Sequence, residues 1–162
     1  MDRFSYVEPH DLHGMEMAIE EAYKAYSLGE VPVGAVIVKE GKVIGRGHNR
    51  KETSGDPTAH AEMIAIREAA KHVGGWRILE STMYVTLEPC PMCAGAIVMA
   101  RIPRLVAGVK DPRTGACGSL WNIVDDHRLN HRVEVTFGIM EDECRNLLEM
   151  FFRELREEKF DL

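Results

Sequence analysis

Two short stretches of this chain hold residue types that do chemistry together. One is Thr58-Ala59-His60-Ala61-Glu62 and the other is Glu88-Pro89-Cys90-Pro91-Met92-Cys93. They offer one imidazole, two thiols and a carboxylate, which are the parts of a zinc site with three protein ligands, a free fourth position and a proton carrier beside it. Cys90 and Cys93 stand three apart, and Pro91 suits the opening position of a helix, so both sulfurs face one point from a helix N-terminus. That electropositive end favours the thiolates that bind zinc. His60 is the third candidate ligand, supplied by a second helix that opens near Asp56-Pro57-Thr58 with Thr58 as its cap. Two thiolates, a neutral imidazole and a dication sum to about zero charge, and water in the fourth position is acidified toward neutral pH. Glu62 lies only two residues from His60 and does not share its helix face, so it reads as a non-ligand that carries the proton.

The competing reading is half of a structural zinc knuckle, or simply two buried thiols. A closed structural site needs four protein ligands, often as two Cys-x-x-Cys pairs. Cys117 and Cys144 stand alone, so no second pair exists. Three ligands beside an acid is the count expected of a catalytic site.

The surrounding elements must bring these stretches together. Positions 11–28 read as an amphipathic helix with Leu12, Met15, Ile19, Ala22 and Tyr26 as its apolar stripe, ended by Gly29. Two β-rich runs, 33–38 and 42–46, are joined through Glu40-Gly41, a hairpin signal. Pro32-Val33-Gly34 before the first run reads as a sheet edge or a pocket wall. A second helix spans 58–72 with Met63, Ile66, Ala69 and Ala70 inward, a strand covers 83–87, and a nearly uniform apolar helix covers 93–101. A strand at 104–109, a glycine-containing loop at 110–120, a strand at 133–137 and a terminal helix at 141–159 complete the chain. The last helix carries the stripe Cys144, Leu147, Leu148, Phe151, Phe152 and Leu155. Strand and helix alternate through the middle of the chain, which predicts an α/β fold with βαβ units and a parallel portion, and the site at the strand ends.

At 162 residues, with 45% hydrophobic and 28% charged residues, the chain fits one domain spanning 1–162. The first eleven residues lack a signal-type apolar run and no later stretch approaches a membrane span, so a cytoplasmic location is expected. Free thiols at Cys117 and Cys144 agree with a reducing compartment. The net charge of −6 argues against a generally basic nucleic-acid binder. A local patch drawn from Arg46, Arg50, Lys51, Lys110, Arg113, Arg128, Arg132, Arg153 and Arg156 would still serve phosphate contacts.

His-Ala-Glu followed downstream by Pro-Cys-x-x-Cys resembles the signature of the zinc nucleoside and nucleobase deaminases. Within that superfamily the chain most resembles the bacterial tRNA-specific adenosine deaminases, which convert wobble adenosine to inosine. The matching runs are 30–35, 56–62, 87–95, 115–120 and Asn130-His131-Arg132, and the likeness extends from about Met17 to Arg156. It implies a three-layer α/β/α cytidine-deaminase-like fold around a central mixed five-stranded sheet, one zinc ion per chain, a tRNA anticodon stem-loop as partner, and a homodimer with the third helix as a reasonable interface. It also implies roles for residues whose types alone say less. Asn49 reads by itself as a turn residue and Val31 as core, but the resemblance places both against the bound nucleoside. The backbone N–H of Ala61 and carbonyl of Leu87 are implied to orient base and leaving group. Asp111, Arg113, Asn130 and His131 are implied RNA contacts. Phe152 and Arg156, one turn apart, would stack on a splayed nucleotide and pair with its phosphate. The tail from Arg156 to Leu162 is more acidic than the lysine-rich tails of some members. Two other readings stay open: a free nucleobase or nucleoside deaminase of the guanine or cytidine class, and a non-catalytic zinc-stabilised RNA-binding module.

Overall fold

The computed structural model describes residues 7–160, the side chains of 159 and 160 excepted. The acidic tail noted above therefore falls partly outside the described residues. The elements in chain order are α1 (Pro9–Ser27), β1 (Gly34–Lys39), β2 (Lys42–His48), a one-turn helix α2 (Lys51–Ser54), α3 (Ala61–Val73), β3 (Ser81–Leu87), α4 (Pro91–Met99), β4 (Arg104–Val109), a 3-10 turn (Ile123–Asp125), β5 (Glu134–Phe137) and α5 (Glu141–Phe160). The five strands form one sheet in the order β2-β1-β3-β4-β5. The β2/β1 and β1/β3 pairs are antiparallel, and the β3/β4 and β4/β5 pairs are parallel.

Alternation along the strands builds two cores. Ala35, Ile37, Met83, Val85, Leu105 and Ala107 face α3 and α4, while Val36, Tyr84 and Val106 face Met15 and Ala18 of α1 and Cys144 of α5. The result is the expected α/β/α sandwich on a mixed five-stranded sheet. The β1–β2 turn is tight because Glu40 and Gly41 both take positive φ, 52° and 74°, as a two-residue hairpin of the primed type requires. No helix among the described residues is long and apolar enough to cross a membrane.

Several sequence expectations change in detail. Of the two readings of Pro32-Val33-Gly34, the edge is overturned, since β1 is hydrogen-bonded on both sides, while the pocket wall holds, with Val33 lining a cavity. Gly34 is required because α1 lies against it: a Cβ there would sit 2.0 Å from the Ala18 carbonyl oxygen. The buried face of α1 is rotated from the expected stripe. Leu12 is exposed, whereas Asp11 and Glu21 are buried. Each acid has partners that compensate for burial. Arg104 grips Asp11 through two bonds of 2.7 Å and the Tyr84 hydroxyl donates a third, while Lys24 and His48 meet Glu21 at 2.7 and 3.0 Å. Among the described residues of α5, Cys144, Leu147 and Phe151 enter the core, leaving Phe152 and Leu155 exposed.

Helix α3 is held by small residues, not by the larger apolar ones. Ala61, Ala65 and Ala69 are fully buried at four-residue steps, and Met63 and Ile66 are only half-buried. This alanine stripe rests on the backbone of β2, where Cβ atoms at Gly45 and Gly47 would lie 2.2 Å from the carbonyl oxygens of Ala65 and Ala61. The helix thus lies as close to β2 as its backbone allows.

Two outcomes follow. Gly45→Ala should lower stability by about 2 kcal/mol in urea unfolding, because the added methyl overpacks against helix backbone. Asp11→Asn should cost about 2 kcal/mol at pH 7, as it breaks a charged hydrogen-bond set. The Arg104 bond holds the Asp11 carboxyl below its ordinary value of 3.8, so the wild-type advantage is complete above that pH and is lost as pH falls beneath it. Parallel urea curves at pH 7 and pH 3 check this.

Candidate active site

Cys90 and His60 occupy equivalent places. Each is the capping residue before a helix, with extended backbone: φ −73°, ψ 174° at Cys90 before α4, and φ −80°, ψ 153° at His60 before α3. Thr58 does not cap α3. It is held in a turn by Asp56, which accepts bonds from its N–H and hydroxyl at 2.8 and 2.7 Å, so the helix opens three residues later than its polar signal predicts and His60 stands just ahead of it. Pro91 opens α4, as expected. Both helix N-termini converge beyond the C-terminal end of β3.

The His60 Nδ1 atom lies 3.6 Å from the Sγ atoms of Cys90 and of Cys93. The three ligand atoms fall within 4.8 Å of one another, a spacing that one metal ion spans. Cys93 is completely buried, whereas Cys90 and His60 are partly open on one side. Hydrogen bonds from Cys93 and His60 depress the Cys90 thiol to about 4. The bond with Cys90, together with burial, pushes Cys93 well above its usual range, and the same Cys90 sulfur raises His60. A dication would reverse the Cys93 direction.

Glu62 is buried to 4% exposure at the cavity wall. Burial, reinforced by the Cys90 charge, raises its carboxyl above the ordinary range, against the opposing pull of its own N–H, His60 and the Cys93 thiol. A carboxyl poised in this way passes a proton readily.

These groups open onto a cavity of about 160 Å³ lined by Val31, Val33, Asn49, Lys51, His60, Ala61, Glu62, Leu87, Glu88, Cys90, Asp111 and Thr114. Val31, Asn49, Ala61, Leu87 and Asp111 are therefore brought together with His60, Glu62 and Cys90. Asn49 is 8% exposed; its Nδ2 donates to the Val31 carbonyl at 3.3 Å and its Oδ1 accepts from the Lys51 N–H at 3.2 Å, which fixes the amide orientation. Ala61 is the first helical residue of α3, where a backbone N–H has no acceptor inside the helix.

A second depression of about 530 Å³ shares Val31, Leu87 and Asp111 with that cavity, and continues past Lys110, Arg113, Leu148, Arg145, Phe152 and Arg156. Phe152 is 40% exposed there and meets Phe151 edge-on at 5.3 Å. The side chain of Asp111 turns onto its own loop, accepting from the N–H groups of Arg113 and Thr114 and from the Thr114 hydroxyl. Asn130 and His131 lie elsewhere. His131 hydrogen-bonds the Ile102 carbonyl at 2.7 Å in a crevice with Arg77, Leu79, Glu80, Arg101 and Pro103. That crevice precedes β3 and β4, a strand length of roughly 20 Å from the cavity.

The sequence reading named Lys51 only as a candidate phosphate contact, whereas it lines the cavity; it missed Thr114 and Arg145, which carry no motif, and it missed Glu30 and Glu88. Both acids are buried to 2% or less. A signal existed for each: Glu30 follows the helix stop at Gly29, and Glu88 is a charge set between an apolar strand and Pro-Cys. Glu30 accepts from the N–H groups of Glu52 and Thr53 and from the Thr53 hydroxyl, which organises the start of α2 behind Asn49.

A three-layer α/β/α fold with a His/Cys/Cys cluster and a buried glutamate at the strand ends defines a hydrolase of the deaminase type. Residues 10–156 match the MafB19-like deaminase family. A tRNA-specific adenosine deaminase of Bacillus subtilis (strain 168) is 52% identical over 145 residues, 90% of this chain and 90% of that one. The fold matches a solved structure from studies of A-to-I editing by tRNA:A34 deaminases at the wobble position of transfer RNA, with TM-score 0.81 and 44% identity, over 84% of this chain and 99% of the other. A guanine deaminase from Bacillus subtilis is similar over 64% of this chain and 66% of its own, at TM-score 0.59 and 39% identity. The chain belongs to the MafB19-like deaminase family and, within it, to the group of the tRNA-specific adenosine deaminases.

Metal titration of the stripped protein should saturate at one divalent ion per chain. Cys93→Ala should lose stoichiometric binding in atomic emission after dialysis. Full retention by that variant would show that the cluster is not the binding site.

Proposed function

We propose that this chain is a zinc-dependent hydrolase that deaminates adenosine at the wobble position of a tRNA anticodon to inosine, releasing ammonia. The observation that carries this reading is the continuity of the small cavity beside the His/Cys/Cys cluster with a groove bearing an exposed phenylalanine and a basic rim. A free base needs only the cavity. The groove gives a splayed strand an aromatic face and cations for its phosphates.

The ligand set fits zinc. Bond lengths near 2.3 Å to sulfur and 2.05 Å to nitrogen give a tetrahedral edge of about 3.6 Å, and His60 Nδ1 is 3.6 Å from each sulfur. When bound, zinc supplies an acidified water facing the cavity. The chain's own residues do the rest. Val31 walls one side of the base, the Asn49 amide offers its second hydrogen to the purine edge, and the Ala61 N–H and Leu87 carbonyl orient base and leaving group. Glu62 accepts one proton of the attacking water and delivers it to N1 of the purine, then takes the remaining proton from the hydroxyl on C6 and passes it to the amine as the C6–N bond breaks, so ammonia leaves and the carboxylate is restored. Asp111, Arg113, Phe152 and Arg156 take the flanking nucleotides along the groove. Asn130 and His131 are assigned to RNA beyond the nucleoside cavity.

The partner is an anticodon stem-loop, and such an enzyme works in the cytoplasm. We also propose a homodimer through α4, whose last residue, Met99, is 67% exposed after an apolar run. The guanine-deaminase alternative is less favoured: that likeness covers a smaller share of both chains, and nothing in a free-base reaction uses the groove.

Incubation with an anticodon stem-loop bearing the wobble adenosine, alongside free guanine, adenosine and cytidine, tests the assignment by scoring inosine and ammonia. Glu62→Gln should bind the RNA and the metal as wild type does while turnover falls by about 10²- to 10⁴-fold. Undiminished turnover would remove Glu62 from its role, and release of ammonia from free guanine alone would favour the free-base enzyme.

A further inference from the structure

Glu88 stands two residues before the first cysteine, yet its carboxylate turns toward the loop that follows β4. Its Oε1 accepts from the Asp111 N–H at 2.9 Å and from the Ser119 hydroxyl. Its Oε2 accepts from the N–H groups of Cys117 at 3.0 Å and Ser119 at 3.1 Å. All four donors are neutral and three are backbone. One buried side chain thus gathers both ends of a nine-residue loop, and the adjacent Pro89 carbonyl takes a further bond from the Ala116 N–H at 2.9 Å.

The centre of the loop is closed onto the same carboxylate. A Cβ at Gly115 would lie 2.4 Å from the Glu88 Cδ and 2.5 Å from the Asp111 carbonyl oxygen, so only glycine lets the chain pass. Loops that wall a binding cavity are ordinarily the least stable part of a fold. Here the loop carries Asp111 and Thr114, which line the cavity, and Asp111 and Arg113, which line the groove.

We infer that Glu88 is a positioning residue for the reaction: by accepting the Asp111, Cys117 and Ser119 donors it locks the 111–119 loop as the wall where cavity and groove meet, and so sets how the RNA strand is admitted. The inference rests on the RNA reading only for the choice of substrate. Glutamine at this position keeps the volume and exposes the requirement. Whichever way its amide is turned, an NH₂ replaces one acceptor and faces at least one backbone N–H, leaving that donor without a partner.

The test uses the metal-loaded full chain. In Glu88→Gln, amide hydrogen exchange across 111–119 should accelerate about tenfold while α1 is unchanged, and KM for the wobble-adenosine stem-loop should rise about tenfold with a smaller change in kcat. Metal content should stay at one per chain. Ser119→Ala, which removes only the hydroxyl bond, should move both readings in the same direction by less, and it serves where Glu88→Gln does not fold. Unchanged exchange in the loop would overturn the proposal, as would a rise in KM that follows loss of metal. A wild-type chain inactive on the RNA, with the exchange effect intact, would overturn the substrate reading and support the loop assignment.

Discussion

The approach of two helix N-termini to one point is the constraint on which the rest depends. His60 and Cys90 each precede a helix, and their side chains meet because α3 and α4 are both anchored on the same face of the sheet. The anchoring is steric. α3 lies on glycine backbone in β2 through alanines, with no side chain between, and α4 follows β3 directly through Glu88-Pro89. Both dipoles point their positive ends at the cluster, which stabilises the sulfur charge of Cys90 and, with a cation present, that of Cys93. Any slippage of α3 along β2 would separate nitrogen from sulfur.

A second theme is the use of buried carboxylates. Asp11, Glu21, Glu30, Glu62 and Glu88 are all buried, and each acts locally. Asp11 and Glu21 pin α1 to the sheet through basic partners. Glu30 and Glu88 use neutral donors to organise the loops on opposite sides of the cavity, and Glu62 sits within it. These five acids also recast the net charge. With these five set aside together with Arg104 and Lys24, the cations paired to two of them, the formal −6 becomes −3, so part of the acidity indicated by composition is internal to the fold. Of the cations named from sequence, Arg128 and Arg132 pair with Asp126 and Asp125, while Lys110, Arg113 and Arg156 border the groove. A local basic rim and an acidic chain are therefore compatible.

Much of the framework was legible because strands and helices obey simple periods. β4 falls at the expected residues, the Glu40-Gly41 turn takes the conformation its residue types demand, and the ends of α1 and α3 follow their glycines. The misreadings share one cause. Periodicity assigns large apolar residues inward and charges outward, and here Leu12 and Phe152 are exposed while Asp11 and Glu21 are buried. The burial of the two acids rests on partners remote in sequence, Arg104 for Asp11 and His48, beside the local Lys24, for Glu21, which periodicity does not report. The start of α3 was misplaced for a related reason: Thr58 was expected to cap a helix, and Asp56 claims it first.

By itself the sequence determined the chemical inventory, namely one imidazole, two thiols spaced for one helix turn and one acid, because ligand type and short spacing are local properties. It also determined the α/β alternation. Only the tertiary structure decided that His60 would face sulfurs thirty residues away, that Val31, Asn49, Leu87 and Asp111 would share one cavity with Glu62, and that Asn130 and His131 would stand at the other end of the sheet. Those outcomes depend on strand order and on close backbone packing between segments far apart in the chain, where the energy of a contact is set by geometry that neither segment encodes alone.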